Sequence, residues 1–250
     1  MKAWMISILT IFPLTSALAT VPSTFKQNNV TYRSYFGECP SKSSGALALT
    51  VMKEFEKNHS LKDVKEKILE GKLDEKHFLS VYKINYNPVI KTLNMHFECP
   101  APLMKVQVYK SNGLEQYSAI MADNGKLYDP SYEHLMRAEK KLLFELPLLA
   151  MSVDQLEGSA AQELVELVRQ TPMEFRQKIS EIIVNKNAEL TIIFGLGGKA
   201  TSVFMGADIW EEKMRKLIKV IGYVEQNRRY PSSISLVNAK KVVVKFSDKI

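Results

Sequence analysis

Asn87-Pro88-Val89-Ile90-Lys91-Thr92-Leu93-Asn94-Met95-His96-Phe97-Glu98-Cys99-Pro100 begins a run that continues through Leu103-Met104-Lys105-Val106-Gln107-Val108-Tyr109 and closes with Asp123-Asn124-Gly125-Lys126-Leu127-Tyr128-Asp129. Met104, Val106 and Val108 are apolar while Lys105 and Gln107 are polar, the period-two pattern of a half-buried strand. Pro100 and Pro102 cannot donate to a strand ladder, so they fit a connection. Asp123-Asn124-Gly125 fits a tight turn, because Asn and Gly tolerate positive φ. Residues 87–129 therefore read as strand, proline-bearing connection, strand and second hairpin. No catalytic group stands at a telling spacing, so the chemistry of this run is backbone pairing.

The chain around it is of ordinary globular composition. It has 250 residues and a formal net charge of +7. Its basic residues, such as Lys62, Lys65, Lys67 and Lys72, are spread out and mixed with acids, as on solvated helix faces. No aromatic-basic motif points to nucleic acid. Residues 3–19 are almost wholly apolar after Lys2, and Ala17-Leu18-Ala19 has the form of a signal-peptidase site. Residues 1–19 read as a signal peptide or an uncleaved signal anchor, and either places the remainder outside the cytoplasm. Cys39 and Cys99 both stand in Glu-Cys-Pro. In an oxidising compartment such a pair predicts a disulfide; the other reading is two free thiols. A bridge would close a loop of about 60 residues, worth about 4 kcal/mol in the chain-entropy model.

Outward from the central run, residues 20–45 read as a linker with an extended piece at Val30-Thr31-Tyr32. Residues 46–55 fit strand or helix. Ser60 caps a helix carrying Leu61, Val64 and Ile68, and Asp74 opens a second that runs to Tyr82 and stops at Asn87-Pro88. Downstream, residues 133–149 read as a connector. Ser152 and Gln155 form a capping box ahead of a helix with Ala161, Leu164 and Val168 on one face. Thr171-Pro172-Met173-Glu174 starts another helix. A three-strand meander spans residues 179–205. Asp208 and Glu211 cap a helix with Trp210, Met214, Leu217 and Ile221 buried. Short strands fall at residues 234–237 and 242–246.

Chemistry is sparse. His59, His77, His96 and His134 lack ligand spacing, so no metal is expected. No nucleophile elbow occurs. Gly195-Leu196-Gly197-Gly198 precedes a strand, not a helix, so it is no phosphate loop. No cofactor and no enzymatic site is expected, although convergence of His96, Cys99 and a carboxylate in a pocket would favour a periplasmic enzyme.

The ordered set of pieces resembles the cell-division family FtsQ/DivIB. Asn87-Pro88-Val89-Ile90-Lys91, Glu98-Cys99-Pro100 and Met104-Lys105-Val106-Gln107-Val108 are similar to the family's Pro-Val, Arg-x-x-Pro and strand sequence. Asp123-Asn124-Gly125-Lys126-Leu127-Tyr128, Leu146-Pro147-Leu148, Val203-Phe204-Met205-Gly206 and Glu212-Lys213-Met214 resemble its later motifs, while Ser235-Leu236-Val237 replaces the usual Asp-Leu-Arg. The resemblance implies an α+β fold, with a small POTRA-like βααββ domain at residues 46–120 and a mixed β domain with peripheral helices at residues 121–250. It makes residues 46–52 the first strand. It implies a non-enzymatic scaffold of the divisome on the periplasmic face of the inner membrane, or in the periplasm if the leader is cut. Such a scaffold is required for septum formation. The partners would be FtsB and FtsL, held by strand addition along Val237, Lys241, Val242, Val243, Val244, Lys245 and Phe246, with Tyr230 and Trp210 as anchors. The rival is a POTRA-type docking module in outer-membrane assembly or secretion.

Overall fold

The computed structural model describes residues 25–27, 30–110, 112–156, 158–238 and 240–246, and within them the chain is α+β, with eight helices and two sheets. The hydrophobic leader and Lys2 lie outside the described residues. Among the described residues no helix is long and apolar enough to cross a membrane.

The first sheet is small. Its elements are β1 (Phe25–Gln27), β2 (Val30–Tyr35), α1 (Ser41–Asn58), α2 (Leu61–Glu70), α3 (Leu73–Lys76), β3 (Val81–Asn87) and β4 (Thr92–Glu98). The strand order is β1-β2-β4-β3, with β2 parallel to β4 and the other pairs antiparallel. A parallel pair needs a crossover, which the helices supply. Leu47, Val51, Phe55, Val64 and Ile68 of α1 and α2 share one core with Tyr32, Leu93, Met95 and Phe97 of the strands. Ser60 caps α2, accepting from the Asp63 N–H at 3.2 Å.

Several expectations are corrected here. Residues 46–52 are helix, not a first strand. The alternation of Leu47, Leu49 and Val51 misleads, because Leu49 is 51% exposed while Leu47, Ala48, Val51, Met52 and Phe55 are buried at helical spacing. The first strand of the βααββ order is β2, inside the stretch read as linker. The helix expected from Asp74 to Tyr82 lasts four residues. Phe78 takes φ +61, which breaks it, and Tyr82 lies in β3. Asn87-Pro88 thus ends a strand.

The second sheet has nine strands in the order β13-β12-β11-β10-β9-β8-β5-β6-β7. Its elements are β5 (Pro102–Tyr109), β6 (Glu115–Ala122), β7 (Leu127–Tyr128), α4 (Ser131–Ala138), β8 (Leu148–Ser152), α5 (Val153–Leu156), α6 (Ser159–Gln170), α7 (Met173–Arg176), β9 (Ile179–Val184), β10 (Leu190–Leu196), β11 (Lys199–Gly206), α8 (Trp210–Gln226), β12 (Ser233–Ser235) and β13 (Val243–Lys245). The central run splits across the two sheets: β4 closes the small one and β5 opens the large one. The boundary expected at residue 120 falls inside β6, and the chain changes sheet between residues 98 and 102. Pro102 is the first residue of β5, a position that proline tolerates. The connector expected at residues 133–149 contains most of α4. The capping box holds only the single turn of α5, where the Gln155 side-chain carbonyl accepts from the Ser152 N–H. Thr171-Pro172 starts only the single turn α7.

One register row runs across seven strands of the large sheet: Val106, Leu149, Ile182, Ile192, Val203, Ile234 and Val244. The first six are buried against α6 and α8, whose Leu164, Val168, Leu217 and Ile221 belong to the same core. A third, smaller core joins the sheets: Phe78 from the small one packs with Ile120, Tyr128, Tyr132 and Met136 of the large one.

Candidate functional site

The C-terminal end of the large sheet is built from β11, α8, β12 and β13. β11 and β12 run parallel with α8 as their crossover, and β13 turns back antiparallel, pairing Val243 with Ser235, Val244 with Ile234 and Lys245 with Ser233. Among the described residues β13 has one strand neighbour, β12. Its far side presents a backbone edge of the kind that templates another strand.

Alternation divides the side chains. Val242 and Val244 are half-buried and pack on the large core, so they serve the fold. Val243 faces the other way, 40% exposed, in a row with Ser235 and the 43% exposed Phe204. Lys241 and Lys245 are exposed, and the Lys245 carbonyl accepts from the Ser232 N–H at 2.9 Å. Phe246 lies 4.3 Å beneath the Arg229 guanidinium, a cation–π contact. Val237 is exposed just after β12.

Of the two anchors expected beside this edge, Tyr230 is half-buried with its ring against Gly197, where an added Cβ would come within 2.2 Å of it. Trp210 is buried, and its indole N–H donates to the Gly206 carbonyl at 2.8 Å. It is a core residue and offers no surface to a partner; the apolar stripe it shares with Met214 and Leu217 already carries that meaning.

The sequence places Lys213, with Lys216 and Lys219, among the spread-out basic residues expected on solvated helix faces, and here the structure corrects that expectation for Lys213. Its side chain is wholly buried, and its ammonium donates to the Met205 carbonyl at 2.7 Å and to the Asp208 carboxylate at 2.6 Å. That bond from Lys213 is the main reason the Asp208 carboxyl sits below its ordinary pKa. The ion pair ties the end of β11 to α8 beside Val237, which lies against Gly206. The signal was present, since Lys213 falls within the Trp210, Met214, Leu217 stripe. Asp208 therefore pairs with Lys213 instead of capping α8, whose first position follows Ile209 at φ +44.

Elsewhere the described residues hold little that could do chemistry. Cys39 and Cys99 form the disulfide, with Cα atoms 5.0 Å apart, so Cys99 offers no thiolate to His96. His96 instead pairs with Glu98 at 3.0 Å and stacks on Tyr35. Ser43 and His77 lie 2.9 Å apart, yet Ser43 is buried. No cluster of three or more His, Cys, Asp or Glu suited to a metal occurs among the described residues. A cavity of about 730 Å³ lies between α3, β7 and α6 and is lined by Met121, Leu127, Ala161 and Val165, with Lys76 and Lys126.

Fold and edge together define an α+β chain whose large sheet ends in a strand paired on one side. Compared with known proteins, the chain matches no family model and no curated protein sequence.

Proposed function

We propose that this chain is a non-enzymatic, extracytoplasmic scaffold of the FtsQ/DivIB kind, which recruits small division proteins such as FtsB and FtsL by adding a partner strand to β13. The observation that carries the reading is the one-sided pairing of β13 at the end of the nine-stranded sheet. A partner strand there would satisfy the outer N–H and C=O groups and extend the apolar row that ends at Val244. The small sheet adds support, because β2, α1, α2, β3 and β4, with the single turn α3 inserted before β3, follow the βααββ order that the resemblance implies for a POTRA domain.

The test is site-specific photocrosslinking in cells. A benzoylphenylalanine at position 243 or 246 should crosslink to FtsB or FtsL, and depletion of the chain should give filaments without septa. Val243→Pro should abolish the crosslink from position 246 while the melting temperature stays within a few degrees. Crosslinking to barrel-assembly components, or a crosslink that survives Val243→Pro, sinks the proposal.

A further inference from the structure

The two sheets meet at a joint in which a covalent bond and three side chains act on two short pieces of backbone. Cys39 lies on the turn between β2 and α1. Cys99 lies at the end of β4, where the chain leaves for the large sheet. The bridge between them ties that turn to the connection. The large sheet grips both pieces. Helix α1 has no side-chain cap of its own and no acid in its first turn. Its N-terminus is capped from 98 residues away, by the Glu139 carboxylate accepting from the Ser41 N–H at 2.8 Å and the Lys42 N–H at 3.2 Å. Lys141 donates to the Cys39 carbonyl and pairs with Glu139 at 3.3 Å. Lys140 between them takes φ +56, a conformation costly for a residue with a Cβ, held where the two flanking side chains converge on one turn. Tyr132 donates to the Pro100 carbonyl on the connection and stacks on Phe78 at 4.6 Å.

We infer that the Cys39–Cys99 bridge is an oxidation-set latch: it holds the turn and the connection together where Glu139, Lys141 and Tyr132 grip them, and opening it frees the small sheet to reorient on the large one while both remain folded. Each sheet has its own buried core, that of the small one including Cys39 with Cys99 packed against it. What remains between the sheets is the small core around Phe78, the buried Tyr132 bond and the Glu139–Lys141 pair, with side chains 23% and 21% exposed; apolar contact is non-directional, so it keeps the sheets together without fixing the angle between them. Closing the latch removes two protons and two electrons from the two thiols and passes the electrons to a disulfide-carrying oxidoreductase, which leaves as its dithiol. Opening reverses this, with a thiolate attacking the sulfur of half-buried Cys99 and releasing Cys39, which is fully buried. The working orientation is thus reached only after exposure to an oxidising compartment. This does not rest on the partner reading of β13.

The experiment places spin labels, carried on p-acetylphenylalanine, at exposed positions 83 and 219 of the full chain and reads their separation by double electron–electron resonance. The oxidised protein should give one narrow distance. Reduction, or Cys39→Ser with Cys99→Ser, should broaden the distribution at least twofold with the far-UV circular dichroism unchanged. Glu139→Gln with Lys141→Gln, which leaves the bridge intact, should broaden it as well. A distribution unchanged by reduction overturns the latch, as does loss of circular dichroism on reduction, which would make the bridge a staple for the fold. A distribution unchanged in the Glu139→Gln, Lys141→Gln variant overturns the grip and with it the latch.

Discussion

Lys213 is the residue whose environment departs furthest from its chemistry. A buried ammonium is tolerated because a carbonyl and a carboxylate meet it, and its stem fills space in the stripe of α8. Lys213→Ala leaves the Met205 carbonyl without its donor and opens a void, so it should cost about 1–3 kcal/mol in denaturant unfolding. Lys213→Met keeps the volume and should cost less; equal losses would show that packing contributes nothing. His77 gives a pH dependence. Burial pushes its imidazole below the ordinary value, against a smaller opposing effect of its bond with Ser43. Below about pH 6.5 the unfolded chain takes up a proton that the folded chain does not. The stability from neutral His77 is therefore present above that pH and lost as pH falls through the depressed folded value. The melting temperature should drop between pH 7.5 and 5, and His77→Gln should shrink the drop. An unchanged drop would remove His77 from the account.

At the scale of elements, the β10–β11 hairpin and the start of β12 depend on one another. Gly197 and Gly198 take φ +56 and +76, as a two-residue turn of this kind requires, and the Tyr230 ring fills the space where a Gly197 side chain would stand. Gly197→Ala should destabilise the chain by roughly 2 kcal/mol through backbone strain and displacement of Tyr230. Gly198→Ala meets no atom within 4 Å, so it should cost less. Equal melting temperatures for the two variants would mean that the ring moves aside freely. The same elements explain why strand addition is assigned to backbone rather than to Trp210. Val244 continues the buried row and Val243 leaves it, so the side chains of β13 are shared between fold and surface, whereas its outer edge has no strand neighbour among the described residues.

For the molecule as a whole, the core around Phe78 couples the two sheets. Phe78→Ala removes a ring stacked between the sheets and should cost about 3–5 kcal/mol, lowering the temperature at which both sheets melt. If only the small sheet melts earlier, Phe78 serves that sheet alone. Much of this architecture was legible in the sequence, because it rests on local periodicity: α2 behind Ser60, the meander of β9 to β11 and the stripe of α8 all follow from spacing and turn chemistry, and the α+β class implied by the resemblance agrees with them. The cysteine pair was legible as a pair from the even count and the shared Glu-Cys-Pro setting. What sequence spacing could not decide was which sheet each strand joins. Residues 87–129 read as one run of strands, yet β4 and β5 belong to different sheets, because pairing partners such as β2 for β4 and β8 for β5 are set by long-range packing. Residues 46–52 showed the same ambiguity, which was resolved only when β2 supplied the strand and α1 covered it. The burial of Trp210, the seat of Lys213 and the grip of Glu139 on α1 likewise arise from residues far apart in the chain meeting in space. The sequence determined those elements whose periodicity and caps are local, such as α2, β9 to β11 and α8, with their inward faces; only the tertiary structure decided α1, the short α3 and the order of the sheet, and so which strand was left at its edge.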